Sequence, residues 1–113
     1  MERTNIVTLE NEEDINTYIT NSKVCIVDFF TTWCGPCKTV SKFMHDDKLF
    51  NKNQEELTIL KVDADKFEEL STKFEISALP TLVFFCNGEL EKEHVKGADT
   101  KKITEITTRL LNS

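Results

Sequence analysis

At 113 residues the chain has the length of one domain and can bury about two-thirds of the surface its unfolded form exposes. It is acidic, with a formal net charge of −6 and no basic cluster, so a nucleic-acid backbone or an anionic membrane surface is a poor partner for it. No stretch reaches the roughly 18 apolar residues of a membrane helix, and the first six residues lack the apolar core of a secretory signal, so the expected compartment is the cytoplasm. In such a compartment four cysteines point to catalysis or metal binding rather than to a disulfide framework.

The first expected element is a short strand, Ile6-Val7-Thr8-Leu9. Asn11 then caps a helix whose first turn carries Glu12, Glu13 and Asp14, where the helix dipole favours negative charge. Ile15, Tyr18 and Ile19 form its apolar stripe. The run Val24-Cys25-Ile26-Val27-Asp28-Phe29-Phe30 is apolar at every position but one. A strand without alternation is covered on both faces, so this one belongs in the centre of a sheet. Its exception, Asp28, would be a buried carboxylate, which is costly unless paired, hydrogen-bonded or protonated.

From Pro36 a helix follows, because proline fits a first turn where its missing N–H would be unpaired anyway. Val40, Phe43 and Met44 make its stripe, Leu49-Phe50 packs its far end, and residues 51–56 read as a solvated loop. Thr58 to Asp63 is the next strand. Asp65 caps a short helix in a capping box with Glu68, and Phe67, Leu70 and Phe74 line the buried side of that helix. Thr81 to Cys86 is another apolar strand. Asn87-Gly88 is a hairpin turn, since both residues tolerate positive φ. The return strand, Glu89 to Lys96, carries the charges of an exposed edge. After Gly97 comes a last helix capped by Asp99 or Thr100, with Ile103, Ile106, Leu110 and Leu111 inward. The order β-α-β-α-β-α-β-β-α implies an α/β fold, a central mixed five-stranded sheet flanked by four helices, and one domain over residues 1–113.

Trp33-Cys34-Gly35-Pro36-Cys37 sits at a strand-to-helix junction. A cysteine at a helix start faces unpaired N–H groups and the positive end of the dipole, and both favour thiolate, the form that attacks disulfides. Gly35-Pro36 places Cys37 on the same helical face, at a separation that allows a disulfide. Cys34 can attack a substrate disulfide and Cys37 can resolve the mixed disulfide, with Trp33 a flat apolar surface beside them. A structural disulfide or half of a zinc site is the competing use of such a pair. A closed zinc site takes four ligands, and Cys25 and Cys86 stand singly in strands, where a free cysteine behaves as a small buried hydrophobe. His45 and His94 lie in polar surroundings, so no metal site is expected.

Residues 28–38 resemble the active-site segment of the thioredoxin family. Lys61-Val62-Asp63-Ala64-Asp65, Leu79-Pro80-Thr81-Leu82-Val83-Phe84-Phe85, Asn87-Gly88 and Gly97-Ala98 follow at thioredoxin-like spacing, so the resemblance covers nearly the whole chain. It implies the thioredoxin fold and general protein-disulfide reduction serving cell redox homeostasis. Cys34 would be the exposed attacking thiol and Cys37 the resolving thiol held behind it. Asp28 would be the buried carboxylate that helps deprotonate Cys37 through water, with Lys61 as its neighbour. Pro80 would be a cis-proline facing the cysteines, its adjoining carbonyl and N–H free to pair with a substrate strand. Trp33, Gly35, Pro36, Leu79, Gly97 and Ala98 would complete the substrate surface.

The resemblance further implies a monomer without a bound cofactor, re-reduced by an NADPH-dependent thioredoxin reductase. Its clients would be of the ribonucleotide reductase, peroxiredoxin or methionine sulfoxide reductase types. Gly35-Pro36 resembles the reducing members, against a thiol oxidase or isomerase; the remaining alternative is a redox-gated interaction module. Three positions depart from the family pattern: Lys42 stands where many members carry a helix-kinking proline, Phe30 where some carry tryptophan, and Cys86 where lysine is common.

Overall fold

The structure, a computed structural model, describes residues 5–52 and 55–113. Strand β1 (Ile6–Thr8) leads through a 3₁₀ turn, Glu12–Asp14, into α1 (Ile15–Thr20). Then come β2 (Val24–Phe30), α2 (Gly35–Asp46), α3 (Lys48–Asn51) and β3 (Leu57–Asp63). The chain ends with α4 (Glu68–Lys73), β4 (Thr81–Cys86), β5 (Glu89–Lys96) and α5 (Thr100–Leu111). The sheet order is β1-β3-β2-β4-β5, with β1, β3 and β2 parallel and β4 and β5 antiparallel to their neighbours.

The unalternating run β2 is central, as its composition requires. Val24, Ile26, Leu82 and Phe84 face one core, which Val40 and Met44 of α2 and Ile103, Ile106 and Leu110 of α5 close. Cys25, Val27 and Phe29 face the other, closed by Ile15 and Ile19 of α1, by Leu70 of α4 and by Phe67 just before it. Each fully buried Ile, Leu or Phe contributes about 1.5–3 kcal/mol relative to exposure. Asp28 shares the parity of Val24 and Ile26, so it lies on the α2 face, and Cys25 lies on the opposite one.

Three details differ from the sequence expectation, and the last helix uses one of its two expected caps. A fifth helix, α3, forms where Leu49-Phe50 is expected only to pack the far end of the preceding helix, and it reaches Asn51, the first residue of the segment read as a loop. Asp47 ends α2 and its Oδ1 accepts the Leu49 N–H at 2.9 Å, which starts a new turn and buries Phe50 completely. The loop expectation for residues 53 and 54, and the signal-free reading of residues 1–4, lie outside the described residues. Asn11 precedes a 3₁₀ turn and its side chain makes no capping bond. Asp65 caps no helix: α4 starts at Glu68, and Asp63 Oδ1 accepts the N–H groups of Asp65 and Lys66 at 2.9 and 3.3 Å. At the last helix Asp99 is the cap, accepting the Lys102 N–H at 3.0 Å.

Candidate active site

β2 ends at Phe30 and α2 begins at Gly35, so the connecting residues deliver Cys34 to the helix N-cap. Its sulfur accepts the Cys37 N–H at 3.1 Å, one of the donors a helix start leaves unpaired. The two cysteines are joined in a disulfide, with Cα atoms 5.3 Å apart. Lys42 interrupts nothing: α2 runs unbroken to Asp46, and Lys42 pairs with Asp46 at 2.6 Å.

Cys34 is not exposed in this oxidised form. Its residual exposure is 5%, against 4% for Cys37. The reason is local: the sulfur is turned onto the helix start, bonded to Cys37 and hydrogen-bonded to its amide. The asymmetry between the cysteines survives in another form. An open groove of about 510 Å³ is lined by Cys34 and not by Cys37. Trp33, Gly35, Pro36 and Leu79 line it too. Ala64, Ser71 and residues 76–78 complete it, and no sequence signal singled these out.

Trp33 is 69% exposed, and its indole N–H donates to Asp65 Oδ2 at 2.9 Å. That bond anchors the ring at the groove edge and gives Asp65 a role other than the expected helix cap. Pro80 is buried and lies outside the groove lining, and the Leu79–Pro80 peptide is cis. Its carbonyl is not free: it accepts the Gly97 N–H at 2.8 Å, while the Ala78 carbonyl accepts the Thr81 hydroxyl at 2.6 Å. Among the described residues the Leu79 N–H and carbonyl have no hydrogen-bond partner. Gly97 and Ala98 are not among the groove-lining residues, and Gly97 is tied to Pro80 by that bond.

On the face of β2 that α2 covers, Asp28 is 1% exposed and neither carboxylate oxygen has a partner among the described residues. Burial pushes its carboxyl up to about 7, with the nearby positive charge of Lys61 pulling weakly the other way. Lys61 is the register partner of Asp28 on β3. Even so, the expected pairing is not an ion pair: no contact within 4.0 Å joins them. The ammonium instead donates to Ser41 Oγ on α2 at 2.9 Å and lies 5.0 Å from the centre of the Phe30 ring. A buried carboxyl raised towards neutrality is suited to taking up and releasing a proton near neutral pH.

The other two thiols stand apart. Cys25 is fully buried and burial pushes it up to about 12, which keeps it protonated and inert. Cys86 is half-buried, with its sulfur 3.9 Å from Ser113 Oγ. His45 and His94 are exposed, and among the described residues no cluster of three His, Cys, Asp or Glu could hold a metal. Among the described residues no helix is long and apolar enough to cross a membrane.

A mixed sheet carrying a Cys-x-x-Cys disulfide at a helix start defines a dithiol–disulfide oxidoreductase. The thioredoxin family model matches residues 5–109. Mitochondrial thioredoxin-2 of Schizosaccharomyces pombe is 39% identical over 101 residues, 89% of this chain and 73% of that protein. The bifunctional thioredoxin reductase/thioredoxin of Mycobacterium leprae is 31% identical over 96 residues, 81% of this chain and 20% of that protein. The crystal structure of reduced Schistosoma mansoni thioredoxin pre-protein superposes with a TM-score of 0.80 at 34% identity, covering 93% of this chain and 97% of that one. The chain belongs to the thioredoxin family and is a protein-disulfide reductase. These likenesses do not favour a thiol oxidase, an isomerase or a redox-gated interaction module.

Proposed function

We propose that this domain, residues 1–113, reduces protein disulfides by the following residue roles. Reduced Cys34, its sulfur held at the α2 N-terminus, attacks one sulfur of a client disulfide lying in the groove. The client's other sulfur leaves as thiolate. Asp28 takes the proton of Cys37, through water where direct reach is lacking. The Cys37 thiolate attacks Cys34 Sγ, the Cys34–client bond breaks, and the second client sulfur leaves. Two electrons have passed to the client. The proton that Cys34 gave up to solvent on forming its thiolate and the proton that Asp28 releases balance the two that the client thiolates take up. Cys34 and Cys37 are left as the disulfide seen in the structure.

The observation that carries this reading is that Cys34 lines the groove and Cys37 does not. Trp33, Gly35, Pro36 and Leu79 form the client surface, with the unpartnered Leu79 backbone groups pairing with an extended client segment. Pro80, Gly97 and Ala98, outside the groove lining, extend the client surface beyond it. Lys61 tunes Asp28.

The domain acts as a monomer and binds no cofactor of its own. An NADPH-dependent thioredoxin reductase restores the dithiol, a route that the fused reductase/thioredoxin relative supports. Peroxiredoxin, ribonucleotide reductase and methionine sulfoxide reductase types are the proposed clients. The proposed compartment is the cytoplasm: free Cys25 and Cys86 suit a reducing environment. The S. pombe relative bears a mitochondrial name, and imaging of the tagged chain separates the two locations.

Trapping tests the division of labour. Cys37→Ser should accumulate mixed disulfides with clients that a reductant releases, and Cys34→Ser should accumulate none. Equal adducts from both variants would overturn the assignment of Cys34 as the attacking thiol.

A further inference from the structure

We infer that Ser41 is a positioning residue for this reaction: its hydroxyl holds the Lys61 ammonium off Asp28 and so keeps the Asp28 carboxyl able to take and return a proton. The inference rests on the proposed role of Asp28 as the base for Cys37.

Asp28 and Lys61 are opposite each other across β2 and β3, and both point to the α2 face. A lysine so placed would ordinarily close on the carboxylate. A direct ion pair favours the charged form and lowers a carboxyl by about 1–3 pH units, which would leave a poor base at neutral pH. Here two interactions hold the ammonium elsewhere. Ser41 Oγ accepts from Nζ at 2.9 Å, and the Phe30 ring lies 5.0 Å from it. Ser41 stands one helical turn beyond Cys37 on α2, so the element that carries the resolving cysteine also fixes the charge beside its base.

The remaining neighbours of Asp28 add no competing charge. Leu82 is its partner on β4. The α5 side of this core is Ile103, Ile106 and Leu110. Cys34 and Cys37 on α2 are locked in the disulfide, and among the described residues Lys61 is the charge that acts on Asp28.

The test is to titrate the Asp28 side-chain carboxyl carbon by NMR in the oxidised protein, where neither active-site sulfur titrates. Ser41→Ala, which if anything favours the helix, should let Lys61 close on Asp28 and lower its midpoint by about one unit. Ser41→Thr, which keeps the hydroxyl, should restore the wild-type midpoint. In a Lys61→Met background Ser41→Ala should have no effect, because the hydroxyl acts only through the ammonium. A midpoint that is unchanged or raised in Ser41→Ala, or that shifts equally with and without Lys61, overturns the inference. A separate arm follows the resolving step against pH in Asp28→Asn. If that profile matches wild type, the base role of Asp28 fails, whatever the carboxyl titration shows.

Discussion

Asp28 and Lys61 are register partners across β2 and β3, yet the lysine is bonded to Ser41 and the carboxyl is left alone in the core. This arrangement costs stability. Burial raises Asp28 from 3.8 to about 7, so the folded protein binds that proton more tightly than the unfolded chain does. The stability contributed by the proton is present below the unfolded value and is lost as pH rises through the folded one, levelling off above it. About three units correspond to roughly 4 kcal/mol at most. Asp28→Asn should therefore be more stable than wild type at about pH 8, with the advantage shrinking towards about pH 4. Urea unfolding of the two oxidised proteins across that range measures it, and parallel stability profiles would contradict the buried-charge account.

The free thiols should separate by reactivity. Cys25 is buried and held protonated, whereas Cys86 is half-exposed at the end of β4. Under native oxidised conditions an alkylating reagent should modify Cys86 slowly and leave Cys25 untouched until the protein unfolds. Peptide mass mapping reads the sites directly. Modification of native Cys25 would show that the core at β2 opens more readily than its packing implies.

Gly97 has φ +90° and donates its N–H to the Pro80 carbonyl. No atom lies within 4 Å of where a Cβ would stand, so only the backbone conformation resists substitution. Gly97→Ala should cost about 1 kcal/mol by thermal or urea unfolding. A loss several times larger would mean that the Pro80–Gly97 junction shifts with the backbone and does not merely strain.

Much of this fold is legible in the sequence for identifiable reasons. The β2 run has no polar alternation, so its central position follows. Asn87-Gly88 specifies its own hairpin, and the glutamates of β5 mark an edge. What escaped the sequence reading depends on contacts between distant residues or on competition between local caps. Asp65 looks like a helix cap, but Asp63 takes the local N–H groups and leaves Asp65 to the Trp33 indole 32 positions away. Asp47 reads as one more polar residue at the end of a helix, and only its bond to the Leu49 amide reveals α3.

The site divides in the same way. The cysteines, Trp33 and Asp28 carry chemistry visible in one dimension. Ser41 does not, because its function lies in what Lys61 does 20 positions later. The groove contributions of Ala64 and Ser71 are likewise matters of small size at a place the fold chooses.

The central claim is that the Cys34–Cys37 pair makes this chain a protein-disulfide reductase, and the reduction of insulin by dithiothreitol, followed as turbidity, tests it most directly. Wild-type protein should shorten the lag and steepen the rise, while Cys34→Ser should match the reaction without protein. Equal acceleration by both, or none by wild type, would contradict the account.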